Sequence, residues 1–241
     1  MNNPISATGH SEQLHGFREA TRSLTSVLAP LEKRTLVWLA HQMPGWVNSD
    51  HLTLLAFVAM VFAGLSYWLA SLSSVGLLLV VACLAVNWFG DSLDGTLARV
   101  RDHQRPRYGF YVDHVVDALG ALFLFGGLGL SGYMSPLVAH GLLIAYLLLL
   151  VETFLATHVL GTFKMSHFKV GPTELRILLA IGNLLLLVHP MADVFGRRFR
   201  LFDVGGVVAI GGMLMTLAFA AAVNTRVLYR AEPLPTGKAD R

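Results

Sequence analysis

Six segments of this sequence are each long and apolar enough to cross a lipid bilayer, and this feature constrains the fold most strongly. A spanning helix needs about 20 mostly apolar residues, because the hydrocarbon core is roughly 30 Å thick. The sequence therefore predicts an all-α fold, an integral membrane bundle of six transmembrane helices. The predicted spans are residues 50–70, 74–97, 110–131, 136–160, 172–192 and 204–228.

The amino-acid composition excludes the main soluble alternatives. Of the 241 residues, 54% are hydrophobic and only 14% are charged, whereas a soluble domain carries about 25% charged residues. The single cysteine, Cys83, allows no internal disulfide, which rules out a small secreted disulfide scaffold. The formal net charge of +3 is weak evidence for nucleic acid. Because the basic residues cluster beside apolar runs, we expect membrane lipid and no nucleic acid as a partner.

Short connections and the distribution of basic residues predict the topology. The links Ser71–Ser74 and Ser131–Ser135 are short, so the flanking helices should form antiparallel hairpins. If the N-terminus is cytoplasmic, 15 of the 18 Lys and Arg residues fall on that side, as the positive-inside rule requires. The exceptions precede the last span and are Arg197, Arg198 and Arg200. We expect a multi-pass protein of the cell inner membrane with both termini in the cytoplasm.

The pattern divides the chain into three parts. Residues 1–49 should form a cytoplasmic segment with a juxtamembrane helix over Leu31–Met43. That helix either lies in the membrane interface or packs as an ordinary helix. Residues 50–230 should form the transmembrane domain, and residues 231–241, which include two prolines, a flexible cytoplasmic tail.

Four aspartates occur in two register-matched pairs near the ends of predicted spans. Asp91 and Asp94 are three residues apart, and Asp113 and Asp117 are four apart, so each pair shares a helical face. A charged side chain costs at least about 2.5–3.5 kcal/mol at the centre of a transmembrane helix, and less toward its end. We expect a loop of roughly a dozen residues to hold the two helices side by side. The four carboxylates would then converge on one pocket.

Clustered carboxylates repel one another and need compensation. Two divalent cations would neutralise four of them, and ligation by oxygen alone favours Mg²⁺, Mn²⁺ or Ca²⁺ over zinc. Paired cations of this kind are typical of phosphoryl-group chemistry. The alternative is that these aspartates cap helix ends or pair with nearby arginines, which are Arg99, Arg101, Arg105 and Arg107.

The same residues carry a resemblance to a known family. The pattern Asp91-x2-Asp94-Gly95-x2-Ala98-Arg99, followed by Gly109-x3-Asp113-x3-Asp117, resembles the signature of the CDP-alcohol phosphotransferases, and every fixed position is filled. The spacer between the two halves, residues 100–108, is one residue longer than the family pattern. The six-helix plan extends the resemblance over most of the chain.

The resemblance implies a transferase of substituted phosphate groups in phospholipid biosynthesis. Such an enzyme binds a CDP-linked alcohol, transfers the phosphate-bearing alcohol to an acceptor hydroxyl and releases CMP. It implies two divalent cations, Mg²⁺ or Mn²⁺, and a homodimer, and the distribution of basic residues places the active site at the cytoplasmic face. The metal ligands would be Asp91, Asp94, Asp113 and Asp117, with Asp117 also the general base. The residues beside the CDP group would be Gly95, Ala98, Arg99 and Gly109.

Two subclasses of this chemistry stay open. CDP-diacylglycerol can donate to a small polar alcohol, and Arg105 and Arg107 would then grip a phosphorylated acceptor, unless they only belong to a positive-inside loop. Alternatively, CDP-choline or CDP-ethanolamine donates to diacylglycerol. Features similar to that branch are His114 after Asp113, which makes His114 a second candidate base, and the run Gly171-Pro-Thr-Glu174. Glu174 either contacts the acceptor or complements the helix dipole.

Other functions use similar residues. The pairs Asp91/Asp94 and Asp113/Asp117 imitate the Asp-rich motifs of membrane prenyltransferases, in which the motifs lie far apart in the sequence. A divalent cation transporter is less consistent, because its carboxylates should lie near the middle of the membrane. Glu152 lies well inside a predicted span and should face the bundle interior, with a partner on another helix.

Overall fold

The computed structural model describes residues 21–23, 29–160, 162–164 and 172–232. These residues form seven α-helices and four short β-strands. The helices are α1 (Ala29–Gln42), α2 (Ser49–Ala70), α3 (Val75–Val100), α4 (Pro106–Leu130), α5 (Pro136–Leu160), α6 (Pro172–Leu186) and α7 (Leu201–Ala231). The strands are β1 (Thr21–Ser23), β2 (Thr162–Lys164), β3 (Met191–Val194) and β4 (Arg197–Arg200). The all-α prediction is confirmed for the bundle, and it omits two small sheets that lie outside the helices.

Five of the predicted spans correspond to helices that are long and apolar enough to cross a membrane; they are α2, α3, α4, α5 and α7. The remaining predicted span contains α6, which has 15 residues and therefore measures only about 22 Å. A sixth span stays a prediction, as does the placement of α1 at the membrane surface. The predicted tail beyond Glu232 lies outside the described residues, as do Lys169 and Gly171.

Short links join consecutive helices of the bundle from α2 to α5. The links between α2 and α3 and between α4 and α5 are residues 71–74 and 131–135, as the sequence predicts. The prediction of a long loop between α3 and α4 is wrong, because only residues 101–105 separate the helices. Pro106 starts α4 at a position where its missing N–H costs nothing. Asp102, at φ 55°, closes α3 while His103 donates back to the carbonyl of Ala98.

Close backbone contacts hold α2, α3 and α4 together. A Cβ atom added to Gly64 of α2 would overlap the carbonyl of Phe123, and one added to Gly127 of α4 would overlap the backbone of Gly64. On α3, a Cβ added to Gly90 would lie 2.6 Å from the carbonyl oxygen of Leu52. Because glycine has no side chain, these helices approach until their backbones meet. This contact fixes the separation of α3 from α2 one residue before Asp91.

The main apolar core lies between these three helices and extends toward the start of α7, where Phe202 is buried against it. A second cluster joins Leu36 and Ala40 of α1 to Leu52, Leu93 and Leu97. Helix α1 therefore packs across α3 beside the aspartate-bearing turns. At the opposite end of the bundle, the N–H of Ser135 donates to Asp203 over 2.6 Å, which ties the α4–α5 link to the start of α7.

The three exceptional arginines are located at that opposite end. Strands β3 and β4 form an antiparallel hairpin with Phe195 and Gly196 at its turn. Both turn residues have positive φ, 50° and 76°, as a tight hairpin turn requires. All four residues of β4 are exposed, so Arg197, Arg198 and Arg200 face outward and do not enter the bundle.

Candidate active site

Three of the four predicted carboxylates lie together at one end of the bundle. One oxygen each from Asp91, Asp113 and Asp117 fall within 4.8 Å of one another, and all three residues are half-buried. Asp113 and Asp117 share a face of α4 because they are one turn apart. Asp91 reaches them from α3, which the short α3–α4 link keeps beside α4. This arrangement is chemically suited to a small cation that prefers oxygen ligands.

Asp94 lies outside that group of three. Its Oδ2 accepts a hydrogen bond of 2.7 Å from the hydroxyl of Thr53, and its backbone carbonyl accepts one of 2.8 Å from Ser49. Both donors belong to the first turns of α2. The charge of Asp94 still acts on Asp117, so it contributes to the same negative region. Its carboxylate is oriented by α2, a contact that the motif spacing did not reveal.

Arg176, on α6, is bonded directly to this group and was not assigned to the site from the sequence. Its Nη2 donates to Oδ2 of Asp91 over 2.6 Å, and its Nε donates to Oδ1 of Asn87 over 2.8 Å. Asn87 is itself buried and donates to the carbonyl of Ala56 on α2. The side chain of Arg176 is only 17% exposed. The one feature of the sequence that could have indicated this role is its place as a basic residue four positions after Pro172, at the start of an apolar segment.

Glu32 joins three helices behind the carboxylates. Its Oε1 accepts hydrogen bonds from Nε1 of Trp88 (2.9 Å), the hydroxyl of Ser92 (3.2 Å) and the hydroxyl of Thr173 (2.7 Å). Ser92 follows Asp91 on α3, and Thr173 precedes Arg176 by one turn on α6. Helix α1 is therefore connected to both helices whose side chains meet in the Asp91–Arg176 pair.

The second candidate base, His114, is buried between aromatic rings. Its Nδ1 lies 2.6 Å from the carbonyl oxygen of Phe110, and because a carbonyl only accepts, this nitrogen carries the proton. The rings of Phe110 and Phe154 lie 4.1 and 4.7 Å from it, centroid to centroid. Its neighbour Asp113 has an oxygen 3.8 Å from the same Nδ1. The imidazole thus lies beside the carboxylates, in a largely apolar niche.

The small residues predicted to flank a nucleotide lie on the same turns. A Cβ added to Gly109 would meet nothing within 4 Å among the described residues, so this side of α4 is open. Gly95 and Ala98 are half-buried on α3, and Arg99 is exposed. The Nη2 of Arg99 donates to Thr96 over 3.1 Å, which holds the guanidinium near the end of α3.

The candidate acceptor contacts are less concentrated. Arg105 pairs with Asp50 and lies over the ring of Tyr108 at 4.2 Å. Its hydrogen bond to Asp50 raises the pKa of Arg105, so this arginine stays charged. Arg107 is exposed in the first turn of α4, and Glu174 is half-buried in the first turn of α6. These residues lie at the starts of α4 and α6, close in sequence to the residues that carry the carboxylates and Arg176.

Glu152, which is half-buried, has the partner on another helix that its position inside a predicted span favours. Its Oε1 accepts a hydrogen bond of 2.7 Å from Nδ2 of Asn224. The bond crosses from α5 to α7. It gives Glu152 a structural function within the bundle and does not connect it to the three carboxylates.

Comparison with known proteins identifies one family. The model of the CDP-alcohol phosphatidyltransferase family matches residues 46–224. The matched region starts just before α2 and ends in the last third of α7, so it includes all residues of the candidate site except Glu32. No curated protein matches the chain. The match favours a transferase of phosphate-bearing groups over a prenyltransferase or a cation transporter.

Proposed function

The chain belongs to the CDP-alcohol phosphatidyltransferase family, and we propose that it transfers a phosphate-bearing alcohol from a CDP-linked donor to an acceptor hydroxyl and releases CMP. The observation that carries the proposal is the group of three carboxylates from two helices within 4.8 Å. Such a group is costly in an apolar bundle, which favours a functional role over chance placement. With divalent cations bound, it would suit a reaction at a phosphate group.

The residues present fit divalent cations. Three half-buried carboxylates offer oxygen ligands at close range, which suits Mg²⁺ or Mn²⁺. We propose Asp91, Asp113 and Asp117 as ligands, with Asp94 as a further ligand oriented by Thr53. Bound cations would neutralise these carboxylates and stabilise negative charge on the phosphoryl oxygens. Gly95, Ala98 and Gly109 would leave room for the nucleotide beside them, and Arg99 would support the diphosphate.

Asp117 is the proposed general base. In the reaction, the acceptor oxygen forms a bond to the phosphorus that carries the alcohol, and the bridging P–O bond to CMP breaks. The hydroxyl proton passes to the carboxylate of Asp117, which faces the other carboxylates. His114 is the weaker candidate, because the rings of Phe110 and Phe154 pack against its imidazole and only its Nε2 is left to accept a proton, since Nδ1 donates to Phe110. Bases of this type contribute about 10²–10⁴-fold to a rate.

The donor and its location belong to the same proposal. The long apolar helices support a multi-pass membrane protein, and the distribution of Lys and Arg favours a carboxylate end that faces the cytoplasm. We propose the cell inner membrane as its location and, from the family, a homodimer as its assembly. The donor is CDP-diacylglycerol with a polar alcohol, or CDP-choline or CDP-ethanolamine with diacylglycerol.

The test is CMP release by purified protein in detergent. CDP-diacylglycerol is offered with glycerol 3-phosphate, inositol phosphate or serine, and CDP-choline or CDP-ethanolamine with diacylglycerol, each with Mg²⁺, with Mn²⁺ or with EDTA. We expect one donor class to release CMP, and only with metal. Absence of CMP from every pair, together with metal-dependent ion flux in vesicles, would replace the transferase by a transporter.

Asp117→Asn tests the base within that assay. We expect turnover to fall by at least about 10²-fold while the CDP-linked donor still binds. Asp102→Asn is the matched control, since Asp102 is exposed in the α3–α4 link at positive φ, a conformation that Asn also accepts. Full activity of Asp117→Asn would refute the assignment of the base.

A further inference from the structure

Arg176 has one nitrogen whose bonding the fold does not explain. Its Nε and Nη2 are bonded to Asn87 and Asp91. Its Nη1 is fully shielded from solvent and has no hydrogen-bond partner among the described residues. A buried donor without an acceptor costs about 1–3 kcal/mol, and more when it is charged. Such a group in an otherwise well-bonded side chain indicates a partner that arrives with a ligand.

Arg176 also competes with any cation at this site. It holds the carboxylate of Asp91, one of the three that lie within 4.8 Å. Its positive charge acts on Asp117 as well. A cation that binds Asp91 would therefore repel the guanidinium and weaken its bond to that carboxylate. The bond to Asn87 remains as the anchor of the side chain.

The charge balance then requires an anion. Two divalent cations neutralise four carboxylates. Because the guanidinium of Arg176 is also positive, the summed charge of the site is then +1. Phosphate oxygens are the acceptors that a guanidinium fork binds best, through two parallel N–H groups. The terminal nitrogens of Arg176, one without a partner and one displaced from Asp91, form such a fork.

We propose that Arg176 is a substrate-binding residue that exchanges Asp91 for a phosphate group when the carboxylates take up metal. This inference rests on the proposed function and deepens it, because it names the side chain that binds the phosphate group. The phosphate is that of the CDP-linked donor or that of a phosphorylated acceptor; both present the same oxygens. Metal and phosphate binding are then coupled through one side chain.

If metal and phosphate binding are coupled in this way, loss of Arg176 should change the affinities for Mn²⁺ and for phosphate in opposite directions. A purely structural role would not produce this pattern. Removing Arg176 takes away a competitor of the metal and a partner of the phosphate. In Arg176→Gln we expect Mn²⁺ to bind more tightly in the absence of nucleotide. With Mn²⁺ bound, we expect CDP to bind about 10- to 100-fold more weakly, the range for hydrogen bonds to a charged group, while cytidine binds unchanged. Calorimetry or electron paramagnetic resonance of Mn²⁺ measures both affinities without turnover.

Several comparisons keep the test decisive. Arg176→Lys retains the charge but not the fork, and we expect it to lose phosphate binding to a smaller extent. Arg101→Lys is the matched control, because Arg101 donates to the carbonyls of Met43, Pro44 and Val47 away from the carboxylates. It should leave the ratio of CDP to cytidine affinity unchanged.

Glycerol 3-phosphate, added with Mn²⁺ and CMP, identifies which phosphate Arg176 binds. If Arg176→Gln weakens only the binding of glycerol 3-phosphate, the phosphate is that of the acceptor. If it weakens only the binding of CDP, the phosphate is that of the donor.

Three results would overturn the proposal. Weaker binding of both Mn²⁺ and CDP in Arg176→Gln would mean that the arginine only holds Asp91 in place. Unchanged binding of CDP and of glycerol 3-phosphate would remove its contact with phosphate. A wild-type protein that binds neither CDP nor glycerol 3-phosphate in the presence of Mn²⁺ would also remove this contact.

Failure of the proposed function would be seen separately. If CDP binding depends on Arg176 as expected but the wild-type protein releases no CMP from any donor, the binding role of Arg176 stands and the proposed reaction is wrong.

Discussion

The helices of this bundle pack in two different ways. Helix α2 buries eight of its 22 residues, among them Gly64 in backbone contact with α4. Helix α5 buries only three of its 25 residues, and many large apolar side chains of α5 and α7 are exposed. The carboxylates lie on α3 and α4, within the tightly packed group. The comparison indicates that α2, α3 and α4 set the geometry of the site, whereas α5 and α7 contribute less to the buried packing.

The largest expected effect is on the α2–α4 contact. In Gly127→Leu the new side chain would overlap the backbone of Gly64, so the two helices must separate. We expect a loss of more than about 3 kcal/mol, the upper end of the usual cost of overpacking, and little folded protein. Size-exclusion chromatography and thermal unfolding in detergent measure it.

The adjacent glycine provides the control for this prediction. A Cβ added to Gly126 would meet nothing within 4 Å among the described residues, so Gly126→Leu should fold and stay active. An equal loss of stability in both variants would mean that α4 tolerates no larger side chain at either position. It would contradict the prediction that only the face in contact with α2 is sensitive.

A smaller effect should follow from loosening α2 at the site itself. Thr53→Val keeps the shape of the side chain and removes the hydroxyl that donates to Asp94. A hydrogen bond to a charged group is worth about 1.5–3 kcal/mol, so we expect CMP release to fall by at least roughly tenfold, while the unfolding temperature changes little. Thr35→Val is the control, since the hydroxyl of Thr35 donates only to its own helix, at Leu31. An unchanged rate in Thr53→Val would show that Asp94 needs no support from α2.

The parts of this architecture that follow local rules were predictable from the sequence. The bounds of α5 agree with the predicted span because Pro136 starts the helix and a mostly apolar segment continues to Leu160. The two aspartate pairs were predictable because helical spacing places them on one face. The short α3–α4 link was not, since a segment rich in arginine and histidine looked like loop. There, α3 continues to Val100 before Asp102 closes it, and α4 already begins at Pro106.

The remaining site residues depend on contacts between distant parts of the chain. Arg176 meets Asp91 across 85 positions, and Glu32 meets Thr173 across 141. No local pattern encodes such a contact, because it depends on which helices pack together. Asp94 is a further example. Its three-residue spacing predicted that its carboxylate would join that of Asp91, but a hydrogen bond from Thr53, on another helix, orients it.

The α5–α7 pair should tolerate the loss of its interhelical hydrogen bond better than the α2–α4 contact tolerates added bulk. In Asn224→Leu, Glu152 loses the amide that donates to it. Such bonds within membranes average about 0.6 kcal/mol, so we expect a small drop in unfolding temperature and nearly normal CMP release. Glu152→Gln, which keeps an acceptor oxygen, should be milder still. A loss as large as that of Gly127→Leu would place α5 and α7 in the rigid part of the bundle.

The smallest effect, and one of opposite sign, is expected on the open face of α7. A Cβ added to Gly212 would meet nothing within 4 Å among the described residues, whereas one added to Gly206 would lie 2.5 Å from Cγ1 of Val138. Alanine is a better helix former than glycine by about 0.8–1.0 kcal/mol. Gly212→Ala should therefore raise the unfolding temperature slightly, and Gly206→Ala, in the same helix, should lower it. If Gly212→Ala is destabilising instead, this face is covered in solution, and cross-linking across α7 would then test whether a second copy of the chain covers it.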